Sequence, residues 1–270
     1  FNIMFPMLPP RISAVFAFFG YRGTTAVGLQ QLQKCGEEGG LRARLGELVV
    51  LLYHLILAAT VPTPERIADD HLNDVPKWQQ QCCSILDRGM LACPDSPIYR
   101  YFAGRLWFVE KRLPEAIAIF ETAMQQDIDW PHLKHAGYWE VTLCSLYTMD
   151  WRRGLECCRV MVGENRWSAA FYTYLHAIFL YSAEAEAAGG ATSVIRASPE
   201  VIAILARVPS LIKRVAGRTI PVEKFAVQRA RMVVDQGRQP FHPALELALI
   251  WDGLQMMGEE HRRAIREMME

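Results

Sequence analysis

The chain has 270 residues, 51% of them hydrophobic, enough to bury roughly three quarters of its unfolded surface as one large unit or two smaller ones. Its 29 basic and 29 acidic side chains cancel to a formal net charge of zero, so no global field recruits nucleic acid or an anionic membrane, and proteins or apolar ligands are the expected partners. Seven cysteines, four of them in the adjacent pairs Cys82-Cys83 and Cys157-Cys158, argue against a disulfide framework and for small buried apolar residues in a reducing compartment.

The apolar run from Phe1 to Tyr21 is broken by Pro6, Pro9, Pro10 and Arg11 and lacks the basic start and cleavage site of a signal peptide. The absence of a leading methionine fits an excerpt of something longer. A first helix is predicted after Pro9-Pro10, presenting Ile12, Val15, Phe16 and Phe19 and ending at Gly20. Thr24 caps a second helix to Cys35 with Leu29 and Leu32 inward, followed by a loop from Gly36 to Gly40. Leu41 to Ala59 reads as a nearly all-apolar central helix. Its stretch without strong charge, Leu48 to Val61, has fourteen residues, and a membrane span needs about twenty, so a buried core helix is expected and no transmembrane segment. Thr60 to Pro64 breaks the pattern, and a helix from Pro76 to Cys93 carries Trp78, Cys82, Ile85 and Leu86.

A tetratricopeptide half-signature follows: Gly104, Trp107, Ala116, Phe120 and Ala123. Small residues at 104, 116 and 123 let two antiparallel helices approach closely, and Trp107 and Phe120 fill the seam. The pair is Tyr99 to Val109 and Pro114 to Gln126. At an offset of thirty-eight residues the theme returns with Tyr138, Val141 and Thr142, then Gly154, Cys158 and Met161. Thirty-four residues further, Tyr172, Leu175, His176 and Phe179 make a third first helix, with His176 in the small-residue place and looser packing expected there. Glu184 to Ala197 is the linker candidate. Ser198 caps a helix to Ala216, Pro221 opens one through Gln236, Ala244 to Met257 is a last apolar helix, and Gly258 precedes a charged tail helix. The expected fold is all-α, a tetratricopeptide-like helical repeat array (α-solenoid) with an N-terminal helical cap. Its regions are the cap at 1–93, repeats at 94–183 and a C-terminal helical repeat region at 184–270.

In such arrays the first helix of each pair lines the concave face, which assigns Tyr101, Arg105, Phe108, Trp139, Leu143 and Leu146 to partner binding. This lining is aromatic and apolar with one cation. It lacks the lysines and asparagines that hold a peptide's terminal carboxylates. Two readings stay open: a groove for an apolar helix or peptide, or a groove filled by the chain's own helix at Ala244 to Met257, favoured because a large open apolar face is unusual. His132 and His135 stand three apart after Asp127 and Asp129 without a fixed third ligand, so no metal site is expected. Without a nucleophile elbow, a phosphate-cradling glycine loop or a Cys-His arrangement in context, no catalytic residue or cofactor is expected either. One electrostatic feature stands out. Arg207, Lys213, Arg214, Arg218, Lys224, Arg229, Arg231 and Arg238 face only Glu223 and Asp235 in the same interval. A solvated helical face is the default reading. The alternative is a dock for an acidic protein segment or anionic lipid headgroups, with Lys213, Arg214 and Arg218 outside together.

Several landmarks resemble the tetratricopeptide repeat protein 39 family, which includes the fungal inclusion-body clearance proteins. They are Leu8-Pro9-Pro10, Phe19-Gly20-Tyr21 with Gly28-Leu29 and Leu32, Tyr53-His54, Val208-Pro209, the run Ala216 to Phe225, and Ala244-Leu245-Glu246-Leu247 with Ile250-Trp251. The Gly217 to Phe225 run is the most specific, and the resemblance covers essentially the whole chain. It implies a longer, cytosolic (cytoplasmic), non-enzymatic adaptor with no catalytic residues to carry over. Roles in lipid homeostasis, in ubiquitin-dependent turnover of a partner and in aggregate clearance with lipid droplets are associated with different members. The rival expectation is peripheral lipid contact through the proline-led helix and the basic patch. Exposure of Phe16 and Phe19 would favour it, and their burial under Leu41 to Ala59 would favour the plain scaffold.

Overall fold

Helices account for the long segments of the chain in a computed structural model, which describes residues 2–3, 8, 10–20, 23–60, 75–125, 130–164, 167–189, 196–215, 218–237 and 242–269. Two compact units result, residues 1–110 and 111–270, and the boundary falls between the two helices of the first expected repeat.

The first unit contains α1 (Pro10–Phe18), α2 (Thr25–Glu38), α3 (Leu41–Leu52), α4 (Lys77–Ala92) and α5 (Pro97–Val109). Thr24 caps α2 by accepting from the Val27 amide at 3.4 Å. That helix runs three residues past Cys35, and the turn closes at Gly39 and Gly40, whose φ of 77° and 89° favours glycine. The expected continuous helix from Leu41 to Ala59 is interrupted. Over Tyr53–Leu57 the backbone widens into a π turn, with the Ala58 amide bonded to the Tyr53 carbonyl five residues back, before Ala58–Thr60 resumes the α form. Arg105 on α5 is the partner this widening needs. Its Nε and Nη2 donate to the Leu55 carbonyl at 3.1 and 2.8 Å, and the residue is buried.

α2 and α4 both pack against α3, α5 packs on α4 and on the π turn, and Val50, Leu51, Leu55, Trp78, Cys82, Ile85, Phe102 and Leu106 form the core. Tyr99 lies on Gly89 so closely that a Cβ there would stand 2.4 Å from the ring. Arg42–Thr60 measures 19 residues with a mean hydropathy of 1.5, long and apolar enough to cross a bilayer, yet half of it is buried inside the chain. The apolar run read from sequence is shorter because Arg42, Arg44 and Glu47 interrupt it. Glu47 is in fact buried between Arg44 and Arg88, at 3.0 and 2.9 Å.

The second unit contains α6 (Leu113–Gln125), α7 (Pro131–Tyr147), α8 (Trp151–Glu164), α9 (Ala169–Gly189), α10 (Pro199–Arg207), α11 (Pro221–Val234), α12 (Pro243–Ile250) and α13 (Glu259–Met269). From α6 to α11 each helix packs on the next. α9 is apolar all round and is accordingly surrounded, by α8, α10, α11 and α12. Small residues permit the close approaches expected of the repeats. A Cβ at Gly137 would meet Met124 at 2.6 Å, and one at Gly154 would meet Phe179 at 2.0 Å. The thirty-eight-residue offset also appears in the backbone. Lys111 and Met149, at the turns after α5 and α7, both adopt positive φ, 63° and 53°.

Three sequence expectations need correction here. Glu184 to Ala197 is not a linker from its start, because α9 runs to Gly189 and Glu184 accepts from the Ser198 hydroxyl at 2.9 Å. Ser198 caps α10 as expected, bonding the Val201 amide at 3.2 Å. That helix does not reach Ala216. It ends at Arg207, tightens into a 3-10 turn over Val208–Leu211, where Pro209 offers no amide, and continues as a two-stranded ribbon pairing Arg214 with Thr219 and Val215 with Arg218. The last apolar helix stops at Ile250, since Asp252 turns to positive φ of 52°.

The cysteines are free thiols. Cys82, Cys144, Cys157 and Cys158 are buried and Cys93 is exposed. Burial pushes the Cys157 thiol up to about 12 and that of Cys158 well above the ordinary range, so neither forms a thiolate near neutrality. A thiol reagent applied to the native chain should therefore modify Cys93 first and leave Cys157 and Cys158 unmodified until denaturant is added. Rapid native labelling of Cys157 would contradict this packing.

Candidate functional site

The residues expected to line the concave face are engaged within their own units. In the first unit Tyr101 and Arg105 are buried, and the Arg105 guanidinium lies 4.6 Å over the Phe108 ring while bonding Leu55. In the second unit Leu143 and Leu146 are buried, and Trp139 meets three rings: Phe171 at 6.1 Å, Tyr172 at 6.2 Å and Trp251 at 5.9 Å. Trp251 follows α12. Its ring also lies 5.4 Å from Phe171, and its carbonyl accepts from the Tyr147 hydroxyl at 3.5 Å. Gly253 then sits flat on Tyr147, where a Cβ would come within 2.1 Å of the ring. Within the second unit, Trp251 and Gly253, which follow α12, thus lie against the aromatic side of α7 and α9.

The cationic interval is arranged differently. Lys213, Arg214 and Arg218 are each exposed, Lys213 just before the ribbon and the two arginines on its opposite faces, not on a helix. Lys224, Gln228 and Arg231 recur at helical spacing along one side of α11. Between ribbon and helix lies a recess of about 620 Å³ whose walls include Lys224, Arg229 and Arg231 and, among the described residues, no acidic one. Among the described residues, Lys213, Arg214, Arg218, Lys224 and Arg231 form no ion pair and no side-chain hydrogen bond. Arg238 lies outside the described residues.

Glu223 holds this surface in place. It is 0% exposed, accepts from the Ser168 hydroxyl at 2.6 Å and from the Lys213 amide at 3.2 Å, and so ties the start of α11 to the cap of α9 and to the ribbon. Ser168 in turn caps α9 through the Phe171 amide at 3.2 Å. Of the two acids in the interval, one is therefore inside the molecule. Arg229 is held between the Glu246 carboxylate and the Phe225 ring, 5.5 Å from its centroid. Sequence reading found these cations but missed Glu223 as their anchor, and only its place three residues into a proline-led helix hinted at a capping role.

A second concavity, about 880 Å³, lies in the first unit between α2, α3 and α4 over Leu32, Val50 and Ile85, with His54 stacked on Trp78 at 6.1 Å. Its buried carboxylate, Glu47, is neutralised by two arginines, which suits packing better than proton transfer. His135 is buried with Nε2 3.0 Å from Glu164, and His132 stands edge-on to Trp167, so the two histidines have different contacts. Asp127 and Asp129 lie outside the described residues. Among the described residues no three His, Cys, Asp or Glu side chains gather as a metal site would require. At the other end of the chain, Phe16, Phe18 and Phe19 are 42%, 86% and 69% exposed, with Ile12 and Val15 exposed beside them.

Comparison with known proteins agrees with this architecture. The chain is 24% identical over 274 aligned positions to tetratricopeptide repeat protein ttc-39B of Caenorhabditis elegans, covering all of this chain and 44% of that protein. The chain thus spans less than half the length of that relative. No solved structure matches it. The family model described as Iml2/Tetratricopeptide repeat protein 39 matches residues 1–270, from the α1 segment through the Glu223 anchor to α13, and the chain belongs to that family.

Proposed function

We propose that the chain is a non-enzymatic protein-binding scaffold, working in the cytoplasm, whose partner surface in the second unit is the cationic side formed by the ribbon and α11. The observation that carries this is a contrast. The aromatic side of α7 and α9 is occupied by Trp251, while Lys213, Arg214 and Arg218 project without acidic partners. A surface that leaves cations unpaired gains from meeting an acidic partner, in encounter rate and in choice of partner. Membership of a tetratricopeptide repeat family supports the scaffold reading, and seven free cysteines support a reducing compartment. Links to lipid homeostasis or to turnover of a bound protein belong to this proposal as its physiological setting. The test is affinity capture from cytosolic extract with the chain and with a Lys213→Glu, Arg214→Glu, Arg218→Glu variant of unchanged circular dichroism. The scaffold reading expects a reproducible partner set that the variant loses. An identical set on both proteins would place recognition elsewhere.

A second reading is favoured by one observation, the exposure of Phe16, Phe18 and Phe19 on and after α1. Adjacent exposed aromatic rings insert readily at a lipid surface. Flotation with phosphatidylcholine vesicles should then carry the chain upward, and a Phe16→Ser, Phe18→Ser, Phe19→Ser variant should stay in the dense fraction. Equal flotation of the two would remove α1 from the account.

A further inference from the structure

We propose that the recess along α11 binds a phosphorylated segment of a partner protein, an inference that rests on the scaffold reading and names the chemistry of its partner. The recess is shaped for an anionic group. Lys224 and Arg231 stand seven residues apart on one side of the helix with Gln228 between them, and Thr219 and Gln236 stand at the two ends. Among the described residues no carboxylate lines the recess, and Lys224 and Arg231 form no ion pair.

Arg229 supplies a second, independent observation. One of its terminal nitrogens is bonded to Glu246, and the other faces only the Met232 sulfur at 3.3 Å, a weak acceptor. Its Nε is buried and has no hydrogen-bond acceptor. A buried guanidinium nitrogen without an acceptor is costly, and the residue that carries it lines the recess. An anion with several acceptor oxygens in the recess would meet Lys224 and Arg231, with the half-exposed Arg229 guanidinium beside them.

A phosphate monoester fits better than a carboxylate or a lipid surface. It carries close to two negative charges near neutrality and three acceptor oxygens, which matches two exposed cations, a partly satisfied guanidinium and neighbouring amides. A carboxylate would leave some of these donors unanswered. A flat bilayer does not enter a recess, and anchoring at a membrane also needs apolar side chains to insert. The large exposed apolar residues of this unit, Trp130, Trp167, Ile202, Leu249 and Ile250, are not among those lining the recess. A protein segment carrying the phosphate can lie along the exposed turns of α11 and place its modified residue between Lys224 and Arg231.

The experiment uses the 270-residue chain and two immobilised degenerate peptide libraries, one with phosphoserine fixed at the centre and one with serine. A third arm uses vesicles rich in phosphatidylserine. The phosphoserine library should retain the chain about tenfold or more better than its serine twin, as one or two charge-assisted hydrogen bonds would give. A Lys224→Glu, Arg231→Glu variant, both positions exposed and its fold checked by circular dichroism, should lose that preference. Equal retention by the two libraries would overturn the proposal, as would an undiminished preference in the folded variant. Vesicle capture that depends on Lys224 and Arg231, without a phosphoserine preference, would overturn it in favour of a membrane surface. The scaffold reading is judged separately, by partner capture with the ribbon variant, so the two can fail independently.

Discussion

Replacing Glu223 by alanine should destabilise the second unit by about 2–4 kcal/mol, from two donors that each lose their acceptor at roughly 1–3 kcal/mol. The melting temperature should fall by roughly 10 °C for a unit of this size. Glu223 is completely buried, and its two oxygens are the acceptors for the Ser168 hydroxyl and the Lys213 amide. Alanine leaves both donors inside without acceptors and opens a void where the carboxylate lay. Glutamine should be milder but not neutral. Its oxygen can still accept from Ser168, while its amide group then faces the Lys213 amide, donor to donor. Thermal unfolding followed by circular dichroism measures both variants. A change under about 1 kcal/mol for alanine, the ordinary cost of a surface substitution or less, would show that the ribbon is held by something else.

Arg105→Leu is the second large effect, expected at about 3 kcal/mol in the first unit. Sequence pattern placed Arg105 on a partner-binding face, but the structure gives it a structural role. Its guanidinium donates twice to the Leu55 carbonyl within the π turn and lies over Phe108. Leucine fills similar space yet leaves that carbonyl unsatisfied in the core, at a cost of roughly 1–3 kcal/mol, and removes a partly desolvated cation–π contact as well. Lysine should recover only part of the loss, because it offers a point charge where the planar fork made two bonds. Chemical denaturation of the three proteins tests this order. If Arg105→Leu were as stable as the parent, the π turn would not depend on the arginine.

The helices whose ends carry their own chemistry were legible in the sequence. Thr24 and Ser198 cap as their side chains predict, and Pro221 opens a helix, whereas the helix expected from Tyr99 starts two residues earlier at Pro97. The repeat offset was legible through Ala116, Phe120, Gly154 and Cys158, all buried, because small residues mark close helix approaches. What could not be read depended on partners distant in sequence. The π turn at Tyr53–Leu57 is stabilised by an arginine fifty residues on. The ribbon after Leu211 replaces a helix-compatible stretch because Glu223 captures the Lys213 amide. The cationic excess was visible as composition, whereas the recess needs α11 and the ribbon side by side. Sequence pattern assigned Trp139 to a partner-binding face, and the structure sets it against a ring of the same chain. That ring, Trp251, is more than a hundred residues later, so local pattern carried no trace of which partner would arrive.

Closure of the aromatic side of α7 and α9 by the chain's own segment is measured most directly by a double-mutant cycle between Trp139→Ala and Trp251→Ala, through the unfolding free energies of the parent, the two single variants and the pair. Contact between the rings at 5.9 Å predicts a favourable coupling of about 0.5–1.5 kcal/mol. Strictly additive losses would mean that Trp251 does not cover Trp139 in solution, that the aromatic side stands open to a partner, and that the cationic surface has no privileged claim to recognition.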